Sequence, residues 1–185
     1  RVYAKKMAEM TDVFLDSAMT QLQYSAKALS DSTNDQRALT EETKRLKNQT
    51  KLFNSVVVVN SDGVITAVSP ETVKVKGIKL TNENSLQSLK AQAPLVTDPF
   101  VSPAGNYLIS LSYPIFSNQG EYLGYISGTI YLEAENILGK LLNEHSYVDG
   151  SYLYVVDRHG TLIYHPNESR IGQIITNNRA INTCL

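Results

Sequence analysis

The sequence predicts an α+β fold in which a long N-terminal helix packs on a five-stranded antiparallel sheet, followed by the start of a second, truncated unit of the same kind. Three observations carry that expectation. From Tyr3 to Leu29 an apolar stripe recurs at helical spacing without a proline or glycine to interrupt it. Two long runs, Tyr107 to Ile115 and Tyr122 to Leu132, alternate in the manner of strands across an Asn118-Gln119-Gly120 turn. One phrase also occurs twice: FNSVVVVNSDGVITAVSP from Phe53 to Pro70 and SYLYVVDRHGTLIYHP from Ser151 to Pro166. Each is an apolar run, an Asx-x-x-Gly turn, a returning run and a proline, followed soon after by Gly77 or Gly172. A glycine that closes a tight turn between apolar runs marks a β-hairpin, and its duplication points to a repeated unit.

In chain order, the first helix is expected from Tyr3 to Leu29, with Met7, Met10, Phe14, Ala18, Leu22 and Leu29 on one stripe. It serves either as a cover for the core or as a stalk rising from a membrane span. Ser30 to Asp35 is a polar break rich in capping residues, and Leu39, Leu46 and Phe53 mark a second helix running to Phe53. Val56 to Val59, four β-branched residues in a row, reads as a strand covered on both faces, with Val64 to Val68 returning beside it. Val73 to Thr97 has no dominant period beyond a short helix over Asn84 to Gln92, and irregular connections of this sort often line pockets. After the two long strands, Ile137, Leu138, Leu141 and Leu142 space a helix over Glu133 to His145 that leads into the second hairpin. The expected sheet is of the PAS-like kind, which divides the chain into a stalk and helical segment (1–53), a PAS-like unit (54–145) and a truncated PAS-like unit (146–185).

Composition narrows the function. The 185 residues are 42% apolar and 19% charged with a net charge of −1, enough for a globular core but without the cationic surface that nucleic acid needs. One cysteine, Cys184, excludes an internal disulfide framework. No apolar run approaches the roughly 20 residues that cross a bilayer. His145, His159 and His165 show no metal-ligand spacing, and neither a nucleophile elbow nor a phosphate loop is present. No catalytic residue, metal ligand or cofactor is therefore expected.

The run VTDPFVSPAGNYLISLSYPIFSNQGEYLGYISGTIYL from Val96 to Leu132, with Asp157, Gly160, His165, Pro166 and Gly172 beyond it, resembles the double Cache family of extracytoplasmic sensor domains. The carriers are Asp98-Pro99-Phe100, the stretch Ser110 to Ile115, and Gly120 and Gly124. The resemblance implies a membrane-distal PAS-like unit, a membrane-proximal one, and flanking transmembrane spans that anchor the receptor with this part outside the cytoplasm. Within the family, the wording GTIYLEAENILGKLLNEHSYVDGSYLYVVD is most similar to sensors that precede GGDEF diguanylate cyclase domains, which synthesise cyclic di-GMP. Methyl-accepting chemotaxis receptors and histidine kinases share the architecture, and a pilin-like or adhesive subunit is the alternative from a different class.

The resemblance also implies where a ligand would sit. Asp98 and Phe100 stand at the mouth of the first long strand, Tyr107, Ser110, Ser112 and Tyr113 lie along it, and Tyr125, Ser127, Thr129 and Tyr131 share alternate positions of the second. These are the candidate ligand-binding residues; the alternative is a polar outer face, with Asp98 a turn former before Pro99. Amino-acid-binding members clasp the carboxylate with Arg and an aromatic and the ammonium with a strand Asp. This chain has no Trp, no Arg between Arg45 and Arg158, and Thr129 at the expected carboxylate position. The expected partner is therefore an unknown small molecule other than a standard amino acid, together with a second copy paired through the N-terminal helix at Phe14 and Leu22.

Overall fold

The computed structural model of the chain describes residues 2–133, 139, 140, 142 and 152–175. Helix α1 spans Val2–Ala28. Phe14, Ala18, Leu22 and Ala26, each four positions from the next, fall on one stripe and are all buried in the main core. Asp35 starts α2 (Gln36–Gln49) by accepting the N–H groups of Arg37 (2.9 Å) and Ala38 (3.2 Å), donors that a first turn otherwise leaves unpaired. Leu39, Thr43 and Leu46 are its buried residues. The second helix stops short of Phe53, whose buried ring lies in the connection and covers Gly128. A Cβ at Gly128 would come within 2.3 Å of that ring, so the absence of a side chain there is what lets Phe53 pack.

The strands β1 (Ser55–Asn60) and β2 (Ile65–Ser69) form the first hairpin, and α3 (Glu83–Ala91) follows. The strands β3 (Leu95–Val96) and β4 (Phe100–Val101) are short, whereas β5 (Tyr107–Phe116) and β6 (Tyr122–Tyr131) are long. The antiparallel order is β2-β1-β6-β5-β3, with β4 also pairing β5. The fifth lane is thus shared by two short pieces, and Pro99, with no N–H to donate, falls between them. Both sheet faces are covered. Val56, Val58, Ile109, Leu111, Ile126 and Ile130 meet the α1–α2 layer, while Val57, Val59 and Tyr125 belong to a second apolar cluster with Ile65, Val68, Val75 and Leu80 on the other side.

That burial corrects one expectation. Phe14 and Leu22 face the sheet of their own chain rather than a second copy, because helical spacing reveals an apolar stripe but not what covers it. A charge at either position acts on the fold itself.

The second hairpin is β7 (Val155–Val156) and β8 (Leu162–Tyr164), a separate two-stranded sheet closed by Gly160 at φ +78°. Ile163 and Ile171 pack against the main core. Most of the helix expected over Glu133 to His145 lies outside the described residues, as does Cys184. No helix among the described residues is long and apolar enough to cross a membrane.

Candidate functional site

Small side chains on three neighbouring strands hollow out the sheet face turned away from α1 and α2. Where larger aliphatic residues would fill the layer, β1 supplies Ser55, β5 supplies Ser110 and β6 supplies Ser127 and Thr129. The hollow is a cavity of about 60 Å³, space for on the order of four or five waters and so for one small molecule. Apolar residues of β1, β2 and the segment after the first hairpin make one wall, among them Val59, Ile65, Val75 and Leu80. Phe100, Ser102, Pro103 and Ala104 form another part of the lining. The irregular segment singled out from the sequence thus contributes through Val73, Val75, Leu80 and Ser85.

Hydroxyls meet in pairs on the cavity floor. Ser55 Oγ and Thr129 Oγ1 lie 2.5 Å apart, as do Ser110 Oγ and Ser127 Oγ. Both pairs are side-chain bonds between adjacent strands, which help fix strand register. The Tyr125 hydroxyl donates to the Ser85 carbonyl at 3.4 Å, tying β6 to α3. Burial, with the Tyr122 phenol second, pushes the Tyr125 ionisation well above the ordinary tyrosine range. Tyr122 itself is pushed up to about 12 by burial, and its hydroxyl is buried without a hydrogen-bond partner among the described residues. None of the cavity-lining residues carries a charge, and no group of three or more His, Cys, Asp or Glu fit to hold a metal occurs among the described residues.

Of the ten candidate residues, Phe100, Ser110, Tyr125, Ser127, Thr129 and Tyr131 line the cavity. The other four lie elsewhere. Tyr107 and Tyr113 point to the helical side and pack against the main core. Ser112 is buried and donates to the Leu95 carbonyl at 3.4 Å, anchoring the fifth lane. Asp98 turns toward the second hairpin, where its carboxylate pairs with Arg158 Nη2 at 2.8 Å and stands 3.5 Å from His159 Nε2. Reading the sequence missed the aliphatic wall and Ser55, although alternation from Ser55 through Val57 to Val59 places all three on one face.

Residues 1–182 match the family described as "Cache domain". No curated protein matches the chain. An extracellular ligand-binding receptor from Desulfohalobium retbaense superposes with a TM-score of 0.76 at 20% identity, over 92% of this chain and 31% of that one. The ligand-binding domain of the Pseudomonas aeruginosa amino acid chemoreceptor PctC, in complex with GABA, gives 0.69 at 24% identity over 92% and 74% of the two chains. That of the Pseudomonas fluorescens chemoreceptor CtaA, in complex with L-isoleucine, gives 0.71 at 17% over 92% and 68%. The chain therefore spans only about a third of the first of these proteins.

These neighbours overturn the expectation that the ligand is not a standard amino acid. Domains with this fold hold L-isoleucine, L-Gln or asparagine, so the fold is no bar to such a ligand. The exclusion assumed that each ligand charge must meet an opposite side-chain charge. Hydroxyls, backbone groups and water at an open mouth also satisfy a buried polar group.

Proposed function

This chain belongs to the Cache domain family, and we propose that it forms the ligand-binding sensory part of a bacterial transmembrane receptor, held outside the cytoplasm, with the hollow beneath α3 as its binding site. As a Cache domain it is a sensory rather than a catalytic unit. One observation supports the placing of the site: a small cavity bounded by buried hydroxyls on one side and aliphatic side chains on the other, with Ser102, Pro103 and Ala104 also in its lining. The candidate ligands include amino acids, since several neighbours of this fold are amino acid chemoreceptor domains.

For the whole receptor, a methyl-accepting chemotaxis output is the better-supported reading, because the neighbours named as receptors of known output are chemoreceptors. The diguanylate cyclase output rested on similarity of wording alone. Anchorage by flanking membrane spans and the division at residues 53 and 145 belong to the same proposal.

A thermal-shift screen of amino acids and small metabolites tests the binding role. A ligand present at about 100 times its dissociation constant stabilises the folded form by about 2.7 kcal/mol and raises the melting midpoint accordingly. Amide chemical-shift changes on titration should then cluster at residues 57–59, 73–80 and 125–131. Changes confined to the second hairpin, or no stabilising compound at all, would remove the cavity as the site.

A further inference from the structure

Counting hydroxyl hydrogens separates the two pairs on the cavity floor. In the Ser55–Thr129 pair both hydrogens are spent: Thr129 Oγ1 donates to the Ser55 carbonyl at 3.3 Å, and the Ser55 hydroxyl is left to donate to Thr129 Oγ1 at 2.5 Å. The Ser110–Ser127 pair has two hydroxyl hydrogens and one bond between them. Neither hydroxyl meets a further protein partner among the described residues. One O–H donor is therefore unspent, on residues that are 7% and 1% exposed and that both line the cavity. A buried donor with no acceptor is destabilising, so this position favours whatever brings an acceptor to it. The opposite wall, with Val59, Ile65, Val75 and Leu80, favours apolar bulk.

We propose that the Ser110–Ser127 pair reads a hydrogen-bond-accepting oxygen of the ligand while the aliphatic wall holds a short branched hydrocarbon group attached to it. The inference rests on the cavity being the binding site and adds the ligand chemistry. Because either serine can carry the unspent hydrogen, the two are redundant. Ser110→Ala leaves the Ser127 hydroxyl free to donate to the ligand, and Ser127→Ala does the same for Ser110. Removing both hydroxyls removes the donor.

Four probes test this: isovalerate, isobutyramide and L-valine, which present an oxygen acceptor on a branched aliphatic group, and isobutylammonium, which presents the group with donors only. At least one acceptor probe should raise the melting midpoint, and isobutylammonium should not. For that probe, each single Ser→Ala variant should bind within about threefold of the parent, and the double variant about tenfold or more weakly. Replacing both partners of a hydrogen bond by apolar groups is close to neutral for folding, and the unliganded midpoint of the double variant verifies that it is folded. Ser112→Ala, whose hydroxyl serves Leu95 instead, should leave affinity unchanged. Equal binding of isobutylammonium, or undiminished binding by the folded double variant, would overturn the proposal. So would a cavity ligand from the broad screen that lacks these groups while no acceptor probe binds, an outcome that leaves the sensory reading standing. If neither the screen nor the probes yield a ligand, both fail.

Discussion

The two hairpins share one backbone scheme and live in different surroundings. In the first, Asn60 Oδ1 accepts the N–H groups of Asp62 and Val64, Gly63 donates to the Asn60 carbonyl at 3.0 Å, and Gly63 sits at φ +79°. In the second, Asp157 Oδ1 accepts from His159 and Thr161, Gly160 donates to the Asp157 carbonyl at 3.0 Å, and Gly160 sits at +78°. The likeness extends outward. Gly77 donates to the Ile65 carbonyl at 2.7 Å, and Gly172 donates to the Leu162 carbonyl at 2.8 Å. Yet β1 is paired on both edges and buried on both faces, whereas β7 has one partner among the described residues and half-buried side chains. An Asx-x-x-Gly turn thus dictates a local path whatever surrounds it, and long-range pairing decides how much that path contributes to stability.

The largest effect should come from introducing a charge. Val58→Asp places an unpaired carboxylate in the core and is expected to cost about 4 kcal/mol or more, while Val156→Asp in the second hairpin should cost about 1 kcal/mol. Urea denaturation of both variants measures the difference; equal losses would mean that the two hairpins are equally load-carrying.

Removing the turn acceptor should instead act alike in both copies. Asn60→Ala and Asp157→Ala each withdraw a side-chain acceptor from two backbone N–H groups, for an expected loss of about 1–2 kcal/mol. Faster amide exchange at Val64 and at Thr161 would report it. Gly63→Ala and Gly160→Ala should each cost about 1 kcal/mol, since a Cβ in the left-handed region is strained in either setting. A difference of more than about 1 kcal/mol between members of either pair would show that the turns depend on context after all.

The smallest expected effect concerns pH. Where the first hairpin ends in Ser69-Pro70, the second ends in His165-Pro166, and both Ser69 and His165 are buried. Burial, and then the Arg170 guanidinium 3.2 Å from Nε2, hold the His165 pKa below its ordinary value of 6.5. The folded form therefore resists the proton that the unfolded form accepts. Stability from this group is fully present above pH 6.5 and declines as the pH falls below it, levelling off beneath the folded pKa. Proton NMR of the imidazole should show a midpoint below 6.5, and His165→Ser should flatten the acid limb of the stability curve.

The same comparison explains how much was legible in the sequence. Hairpins, long strands and the first helix announce themselves through local chemistry: Gly63 and Gly160 need their φ, and Tyr107 to Ile115 alternates. The end of α2 is harder to read because Phe53 continues the apolar stripe of Leu39 and Leu46 although its ring packs against Gly128 from the connection beyond the helix. The site was half legible. Alternation brought Ser127, Thr129, Tyr125 and Tyr131 together on one strand, but Asp98 is claimed by Arg158 sixty residues on, and nothing near Asp98 in the chain signals that pairing. Ligand class was not legible because hydroxyls, backbone groups and water can satisfy a bound polar group without leaving a pattern of charged or aromatic residues in the sequence.

The strand β5 is shared between two layers: Leu108 and Ser110 touch the hollow and Ile109 and Leu111 touch the helical layer where α1 packs on it, so the partition between a bound molecule and α1 is a single polypeptide thick. A strand nudged by an occupant presses directly on the inner stripe of α1, whose opposite side exposes Val13 and Tyr24. An environment-sensitive dye on either of those two outer positions would therefore register filling of the hollow from the far side of the partition, without ever touching what fills it.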